Sequence, residues 1–326
     1  MTPNYLAWDI NENNFPRKAS IKEQIRFLIG YGILAPSVHN TQPWEFEVQE
    51  RSLCLKLNPK LSLPASDPSG RGGWISLGAV AKNIEIAAAY FGLDTHVTLD
   101  ATEITISFQH GKTADDGLFQ AIKQRYSNKL NYSSQLISKE QLATLQQLSP
   151  NLTAFTSSSS TIAKIAEIHV DAARNIARSP RFGRELAHWM RPNDTARTDG
   201  MPGFVIGLRP IFSRVIPALI SLAPWILSIR GKKDRHLILN SPTIGVISTP
   251  HDSPADWFAA GRAFELIALQ ATKDGLVITI MAAMVEYPPA SKALAEVMKI
   301  APSKVQVFFR TGYAYNEIYH TPRRII

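Results

Sequence analysis

Residues 74–93 read WISLGAVAKNIEIAAAYFGL, and residues 257–276 read WFAAGRAFELIALQATKDGL. Each stretch begins with Trp, has Gly four residues later and ends with Gly-Leu, and the matching positions are 183 residues apart without a gap. The first stretch has few polar residues, which predicts a long helix buried on most sides and ended by Gly92. The second predicts another long helix, ended by Gly275. The repeat indicates a duplicated α/β unit with one central helix in each copy. The alternative to a duplication is that both stretches share only the general pattern of a helix that ends at a glycine.

Regular patterns flank both stretches. Ser20 and Glu23 form a capping-box pattern at the start of a predicted helix over residues 20–34, and Ser138 with Gln141 repeats that pattern further along. Short segments of alternating or clustered apolar residues predict strands. These strands cover residues 44–48, 53–57, 97–99, 104–108, 244–248 and 305–310. One further helix is predicted to begin near residue 116, and two others cover residues 161–177 and 181–190. The mixture predicts an α+β fold.

The composition is that of a folded globular chain, with 45% hydrophobic and 19% charged residues among 326. The formal net charge of +8 favours anionic partners. Nucleic acid is not predicted, because the Lys and Arg residues are dispersed and no nucleic-acid motif occurs. A phosphate-bearing cofactor or a dinucleotide substrate is the simpler explanation, and a solvated surface that is merely basic is the alternative.

The cysteine content predicts the compartment. Cys54 is the single cysteine of the sequence, so no internal disulfide and no cysteine-rich metal site is expected. Its place in an alternating apolar segment predicts a buried small side chain. The first 15 residues have neither the basic head nor the apolar core of a signal peptide. These observations favour a reducing, cytoplasmic location.

One stretch is unusually apolar. Residues 215–229 read VIPALISLAPWILSI, which is 15 residues long and interrupted by Pro217 and Pro224. About 20 apolar residues are needed to cross the hydrocarbon of a bilayer. The stretch therefore predicts a covering helix or flap rather than a membrane span. Membrane association is expected to be unlikely, with contact at the membrane surface as the minor alternative.

Several common catalytic signatures are missing from the sequence. It has no Rossmann or Walker glycine loop, no nucleophile elbow and no zinc motif, and its 8 histidines show no ligand spacing. We therefore expect no metal site.

The first of two remaining segments is a polar loop. Residues 35–44 read APSVHNTQPW and connect a predicted helix to a predicted strand. Asn and Gln side chains present both a donor and an acceptor, as the edge of a heterocycle does. The loop is therefore a candidate ligand-binding loop. The alternative is a helix stop and a turn whose polar side chains bond locally.

The second segment is basic. Residues 125–129 read RYSNK. Arginine offers a bidentate fork for a phosphate, serine a hydroxyl and lysine a point charge, and in an extended segment the three would lie on one side. The alternative is a helix end whose basic residues interact with the helix dipole.

Together these segments resemble the nitroreductase family of flavoproteins. The loop at residues 35–44 is similar to the family's loop after its early helix, and Arg-x-Ser-x-Lys at 125–129 is similar to its flavin-phosphate and ring-edge motif. The paired Trp-x-x-x-Gly helices resemble the family's central dimer-interface helix. Residues 310–313 and 322–324 are similar to its last strand and basic C-terminal arm, and residues 199–202, DGMP, look like the Acg-like branch. The resemblance covers nearly the whole chain.

The resemblance implies an FMN-dependent nitroreductase-like α/β sandwich that is duplicated within one chain. In the family's homodimers, one subunit supplies the Arg-x-Ser motif and the other supplies the loop. Each motif occurs once in this sequence, which implies one FMN per chain, bound between the two halves. We expect halves at residues 1–115 and 116–326, and an insertion at about residues 191–233 that acts as a lid.

The resemblance also implies the cofactor-binding residues. Arg125, with Arg323 or Arg324, would hold the phosphate, while Ser127 and Lys129 would contact the ribityl chain and the pyrimidine edge. The loop residues expected to approach from the other half are Ser37, Val38, His39 and Asn40, with Gln42 bracing the loop. For His39 the alternative is a helix-end histidine bonded to the backbone. No side chain is expected to act as acid or base, because the flavin carries the chemistry.

The activity implied is electron transfer from NAD(P)H through FMN to a nitroaromatic, a quinone or a related acceptor. The covered flavin of the Acg-like branch implies the alternative, a flavin-sequestering or storage protein with little or no reductase activity. A fused pair of halves is compatible with either a monomer or a homodimer.

Overall fold

The computed structural model describes residues 3–100, 102–315 and 319–325, and its fold is α+β, as predicted. The first half of the chain forms α1 (Ile21–Gly32), β1 (Trp44–Val48), β2 (Ser52–Leu57), α2 (Arg71–Phe91), β3 (Leu93–Leu99), β4 (Glu103–His110) and α3 (Leu118–Gln124). There follow α4 (Lys139–Gln147), β5 (Thr153–Thr156), α5 (Ser159–Ala177), α6 (Pro180–Trp189), β6 (Met190–Arg191), β7 (Met201–Pro202), α7 (Pro210–Leu222) and α8 (Leu227–Leu239). The chain continues with β8 (Thr243–Thr249), α9 (Pro254–Lys273), β9 (Val277–Ile280), α10 (Ala283–Glu286), α11 (Pro288–Val297) and β10 (Lys304–Gly312).

Two four-stranded sheets have the same topology. The first has the strand order β1-β2-β4-β3 and the second has the order β5-β8-β10-β9. In each sheet all neighbouring strands are antiparallel. In chain order, a long central helix connects the second and third strands of each sheet: α2 connects β2 to β3, and α9 connects β8 to β9. The two halves therefore share one arrangement of elements, although the second contains additional helices.

The predicted helix boundaries follow from local chemistry. Both predicted capping boxes form, at Ser20 before α1 and at Ser138 before α4, so the first amide groups of each helix are satisfied. Gly92 and Gly275 have left-handed φ values of 82° and 76°, which allow the chain to turn away after α2 and α9. The central helices were predicted to begin at Trp74 and Trp257, and each begins three residues earlier. Ser253 is the N-cap of α9.

The repeated glycines mark the crossing of α2 and α9. A Cβ atom on Gly78 would lie 2.2 Å from the carbonyl oxygen of Phe258, and one on Gly261 would lie 2.0 Å from that of Ile75. The two contacts are equivalent under the 183-residue offset of the repeat. The helices therefore cross on a local pseudo-twofold axis, at a separation that only glycine permits.

Each half has an apolar core between its sheet and its helices. In the first half the core includes Ile25, Leu28 and Leu55, each with no solvent exposure. Burying one such side chain stabilises the fold by roughly 1.5–3 kcal/mol. The predicted burial of Cys54 on β2 is confirmed, and burial raises the pKa of its thiol. None of the helices in the described ranges is long and apolar enough to cross a membrane.

Candidate functional site

A cavity of about 510 Å³ lies beside the crossing of the central helices. Its walls include Ile75 and Ala79 of α2 and Phe264 of α9, so both halves contribute. Of the sequence-predicted residues, those that line it are Ser37, Val38, His39, Ser127 and Lys129. The volume falls within the range of about 300–1,000 Å³ that is usual for small-molecule sites. The structure thus brings the predicted loop and the predicted basic segment to one cavity.

The loop before β1 has a constrained backbone. His39, Asn40 and Gln42 have φ values of 51°, 57° and 53°, in the left-handed region that non-glycine residues seldom occupy. Such a conformation persists only where surrounding contacts enforce it. Within the loop, Ser37 Oγ accepts a hydrogen bond of 2.9 Å from the backbone amide of Gln42. The Nε2 atom of His39 lies 3.4 Å from Ser66 Oγ.

Asn40 does not line the cavity but joins three segments of the chain. Its Nδ2 atom donates to the carbonyl oxygens of Gly200 and Pro322, both at 2.9 Å. Its Oδ1 atom accepts a hydrogen bond of 2.6 Å from Arg323. The side chain is buried and every polar atom of its amide has a partner. The expected direct contact with a ligand is therefore replaced by a positioning role.

Gln42 and Arg324 also hold the loop rather than face the cavity. Gln42 Nε2 donates to Thr198 O at 2.7 Å, and Gln42 Oε1 accepts from the backbone amide of Arg324 at 2.8 Å. The guanidinium of Arg324 contacts Thr41 O and the Asp199 carboxylate, both at 2.8 Å. The bracing role predicted for Gln42 agrees with these contacts, whereas Arg324 is taken up by protein partners.

Asp199 connects several arginines. It forms ion pairs with Arg191, Arg197 and Arg324 at 2.8, 3.2 and 2.8 Å. Burial by itself would raise the pKa of the Asp199 carboxyl, but the three guanidinium groups hold it well below its usual range. Asp199 thus fixes the passage that packs on the loop. The sequence drew attention to the passage but not to this role.

Arg125 lies in the interior between the two halves. Its Nη2 atom donates to the carbonyl oxygen of Leu34 at 3.0 Å, and its Nε atom lies 3.2 Å from Glu265 Oε1. The two charged side chains are 2% and 0% exposed. Arg125 is the C-cap of α3 and its backbone is extended, but its guanidinium is engaged by Leu34 O and Glu265 rather than lying with Ser127 and Lys129. Consequently Arg125 points away from the wall to which Ser127 and Lys129 belong.

A second buried guanidinium lies in the same region. Arg323 donates to the carbonyl oxygens of Leu34 and Ala35 at 3.3 and 3.2 Å, and its side chain lies over the ring of Trp8. Burial lowers the pKa of Arg323 to about 9, and the charge of Arg125 contributes to this shift. Glu265 supplies one carboxylate opposite these two cations, and burial raises the pKa of that carboxyl. The cluster therefore has an excess of positive charge.

Some N–H groups of this cluster have no hydrogen-bond partner within the described ranges. They are Nη1 of Arg125 and Nε of Arg323; Nε of Arg125 also makes no hydrogen bond, and only its ion pair with Glu265 engages it. Buried N–H groups in proteins are nearly always bonded, so these donors point to an anion or a water. His320 stacks on Trp8 nearby, with ring centroids 3.8 Å apart. Burial and the two arginines lower the pKa of His320 to about 4, which keeps it neutral at pH 7.

Ser127 and Lys129 lie on the wall formed by the second sheet. Ser127 pairs in parallel with Ile278 of β9, which extends the edge of that sheet by one bridge. Lys129 Nζ lies 3.4 Å from Met201 Sδ, on the short β7 strand. A hydroxyl and a positive charge therefore face the cavity from one short segment, as the sequence predicted for these two residues.

Glu286, which the sequence analysis did not single out, also lines the cavity. No hydrogen bond or ion pair joins its carboxylate to another residue in the described part of the chain. Burial raises the pKa of Glu286 to about 7. The positive charges of Arg71 and Lys129 oppose this rise, and the negative charges of Asp67 and Glu185 add to it. Glu286 therefore places a buried carboxyl in the wall, and no sequence motif surrounds it.

A mainly apolar part of the wall comes from the segment between α6 and β8. Ile216 and Ile220 of α7 and Leu227 of α8 lie on this wall. Further apolar residues of the segment line the cavity, namely Met190, Met201, Ile206, Leu208, Ile226 and Leu237. The apolar stretch predicted to cover a ligand thus lies over the cavity.

Comparison with known proteins finds relatives that are named nitroreductases. No family model matches the chain. The chain is 24% identical over 315 residues to the Mycobacterium tuberculosis protein named "Putative NAD(P)H nitroreductase Rv3131", a match that covers 93% of this chain and 89% of that protein. A second protein of that organism, the uncharacterized Rv3127, is 25% identical over 302 residues, covering 86% and 84%. A third, named "Putative NAD(P)H nitroreductase acg", is 36% identical over 63 residues, which are 19% of each chain.

Solved structures give more distant similarity. The FMN-dependent nitroreductase NfnB from Mycobacterium smegmatis, crystallised with NADPH, has 14% identity and a TM-score of 0.39, and the match covers 60% of this chain and 86% of that one. A nitroreductase with bound FMN from Bacteroides fragilis has 12% identity and a TM-score of 0.40, with coverage of 65% and 96%. The sequence similarity to a protein named as a nitroreductase extends over nearly the whole length, and a shorter segment is similar to acg, in agreement with the resemblance to the Acg-like nitroreductases.

Proposed function

We propose that the cavity binds FMN and that the protein is an FMN-dependent oxidoreductase. In this proposal NAD(P)H donates electrons, and a nitroaromatic, a quinone or a related compound accepts them. The observation that carries the proposal is the meeting of Ser37–His39 from the first half with Ser127 and Lys129 from the second half at one cavity. Relatives that match nearly the full length include proteins named "Putative NAD(P)H nitroreductase", which agrees with it.

The residues present suit a flavin ring in two respects. The cavity is large enough for a cofactor, and most of its wall is apolar, as a flat aromatic system requires. Hydroxyl, imidazole and ammonium groups from Ser37, His39, Ser127 and Lys129 supply polar contacts along its edges. Bound FMN would supply the redox chemistry, taking a hydride from the nicotinamide and passing electrons to the acceptor. The positive charge of Lys129 would stabilise the negative charge of the reduced ring.

The phosphate group is accommodated differently from the sequence-based expectation. Arg125 and Arg323 are buried beside the cavity with an excess of positive charge and with unsatisfied N–H groups, but they are not part of its wall. Arg71, at the start of α2, does line the cavity. We therefore assign the phosphate to the cationic part of the wall, at Lys129 and Arg71. Arg125, Arg323, Asn40, Gln42 and Arg324 then position the loop and the C-terminal arm.

The same proposal includes the division of the chain. Residues 1–115 and 116–326 would be two copies of one unit, as the equal strand orders and the symmetric contacts of Gly78 and Gly261 suggest. The copies differ in charge at their interface. Glu265 on α9 corresponds to Lys82 on α2 under the repeat offset, so the buried partner of Arg125 exists in one copy. This asymmetry supports one flavin per chain.

The experiment is an absorption spectrum of the purified full-length chain, followed by NADPH under anaerobic conditions. We expect a yellow protein that holds FMN in a one-to-one ratio and loses its colour when NADPH is added. The covering segment over the cavity favours one other function, the sequestering of flavin. A yellow protein that keeps its colour with NADPH, but is reduced by dithionite, would establish sequestering. A colourless protein that takes up no added FMN would refute both.

A further inference from the structure

Helix α7 exposes a continuous apolar surface. Ile211, Val215, Leu219 and Leu222 recur at helical spacing and are 69%, 47%, 44% and 84% exposed. Phe212 on the same side and Trp225 just beyond the helix are 52% and 65% exposed, and we call these six residues the outer face of α7. They account for half of the 12 large hydrophobic side chains found exposed among the described residues. Apolar groups concentrated in this way usually mark an interaction surface.

The opposite side of α7 is also apolar. Ile216 and Ile220 face inward and line the cavity. Ser213 is buried, and its hydroxyl donates to Pro210 O while accepting from the backbone amide of Asn193. A helix at the surface of a soluble protein normally turns a polar side to water, and a helix that is apolar all round normally has cover on both sides. Apart from Arg214, α7 therefore presents few polar groups to water.

The segment that carries this surface is rich in positive charge. Residues 200–239 contain six Lys or Arg residues and one acidic residue, Asp234. Arg209, the N-cap of α7, and Lys232 are exposed, and neither forms an ion pair with another residue in the described ranges. Arg214 is 64% exposed and pairs with the equally exposed Asp194. Two copies facing each other through this surface would bring like charges together, whereas anionic headgroups would complement them.

We propose that the outer face of α7 docks on the surface of an anionic lipid bilayer. Large apolar side chains, a tryptophan near the helix end and surrounding basic residues are the features of a helix that lies in the membrane interface. No helix in the described ranges can span a bilayer, so the contact is peripheral. Ile216 and Ile220 of the same helix line the cavity. In the docked protein, α7 would therefore lie between the cavity and the lipid. The proposal does not depend on the identity of the cavity's ligand.

The test is flotation of the full-length protein with two kinds of vesicle, phosphatidylcholine alone and phosphatidylcholine mixed with phosphatidylglycerol. We expect flotation with the anionic vesicles, weakened by added salt, and little with the neutral ones. Leu222→Asp removes an exposed apolar group, adds a negative charge and should lower partitioning about tenfold or more. The matched control is Leu136→Asp, since Leu136 is 75% exposed but lies outside the outer face of α7. It should float like the unaltered protein.

The other outcomes overturn the proposal. Failure of the unaltered protein to float with anionic vesicles refutes membrane docking directly. Equal flotation of the Leu222→Asp and Leu136→Asp proteins would mean that another surface binds the lipid. Sedimentation velocity without lipid covers the remaining case. A dimer that Leu222→Asp converts to a monomer would show that a second copy of the chain covers this face.

Discussion

The guanidinium of Arg125 and the carboxylate of Glu265 face each other at 3.2 Å, shielded from solvent at the junction of the two halves. Arg125 ends α3 and Glu265 lies in the middle of α9, so the pair joins an element between the two sheets to the central helix of the second half. Removing one member of a buried pair leaves the other without compensation in a medium that solvates it poorly. The pair is consequently a test of how the junction is held.

Glu265→Ala should lower the free energy of unfolding by about 3–5 kcal/mol, because it strands the Arg125 charge next to the second buried cation, Arg323. Urea unfolding followed by circular dichroism measures the change. Glu167→Ala is the control, since the Glu167–Arg235 pair is 60% and 45% exposed and should contribute less than about 1 kcal/mol. Equal losses in the two variants would contradict the assignment.

Asn40→Ala should destabilise the protein by about 2–3 kcal/mol, because Gly200 O and Pro322 O lose their donor and Arg323 loses an acceptor. The C-terminal arm should also become loosely held. Urea unfolding gives the first effect, and faster hydrogen exchange near residues 321–325 gives the second. Asn151→Ala, at an exposed position, should change neither. Unchanged exchange in the arm would show that the three-way connection is not what fixes it.

Gly78→Ala and Gly261→Ala should each destabilise the protein strongly, by about 3 kcal/mol or more, and by similar amounts. In both variants the new Cβ meets a carbonyl oxygen of the other helix, at 2.2 and 2.0 Å, and backbone atoms can move only if the helices separate. Thermal or urea unfolding measures the loss. Gly275→Ala is the comparison, because its Cβ would meet open space and the strain of φ at 76° should cost about 1 kcal/mol. Strongly unequal losses at the two crossing glycines would argue against the pseudo-twofold contact.

Stability should depend on pH through Glu286. Its pKa in the folded protein is raised to about 7, above the value of about 4.3 of an unfolded chain. The folded state therefore binds the proton more tightly, and stability falls as pH rises from about 4 to about 7. Glu286→Gln should remove this dependence on pH. The stability of the variant relative to the unaltered protein should therefore increase as pH rises from 5 to 8.

Urea unfolding at the two pH values checks this. Glu296→Gln, which removes an exposed carboxylate of α11, controls for the change in net charge. If the free energy of unfolding changes equally between pH 5 and pH 8 in Glu286→Gln and in the unaltered protein, the carboxyl of Glu286 is already ionised at pH 5.

Lys129→Ala should weaken FMN binding about tenfold and make the flavin harder to reduce, if the cavity holds the cofactor as proposed. The reason is the loss of a positive charge from the wall, which lowers the stability of the anionic reduced form. Fluorescence titration with FMN and a redox titration against a reference dye measure the two effects. Lys139→Ala, at an exposed position on α4, is the matched control. A Lys129→Ala protein with unchanged affinity and potential would place the flavin elsewhere.

Local features of the fold could be predicted from the sequence. The capping boxes at Ser20 and Ser138 and the turns at Gly92 and Gly275 form as expected, because each depends on hydrogen bonds between residues a few positions apart. The predicted strands β1 and β2 pair as an antiparallel hairpin for a similar reason, since they are neighbours in the chain. The family resemblance, read from motifs spread along the chain, agrees with the full-length relatives.

The candidate site could be predicted only in part. Ser37, His39, Ser127 and Lys129 meet at the cavity as the motifs imply. Arg125 was expected on the same side as Ser127, but its guanidinium lies against Leu34 O and Glu265 and is not part of the cavity wall. No local pattern near residue 125 indicates an acidic partner on α9. The same holds for Glu286, whose raised pKa depends on burial beneath a distant segment.

The amino-acid sequence alone determined the capped helices α1 and α4, six of the eight strands of the two sheets, the glycine-marked repeat and the loop that contributes to the cavity, because neighbouring residues supply the hydrogen bonds and the apolar periodicity for each. Only the tertiary structure decided which polar groups remain for a ligand. Asn40 is bonded to a residue 282 positions away and Arg125 to one 91 positions away, so both are committed to holding the two halves together. Such long-range partners are chosen by packing, where an unpaired buried polar group is too unfavourable to persist, and no local signal reports them.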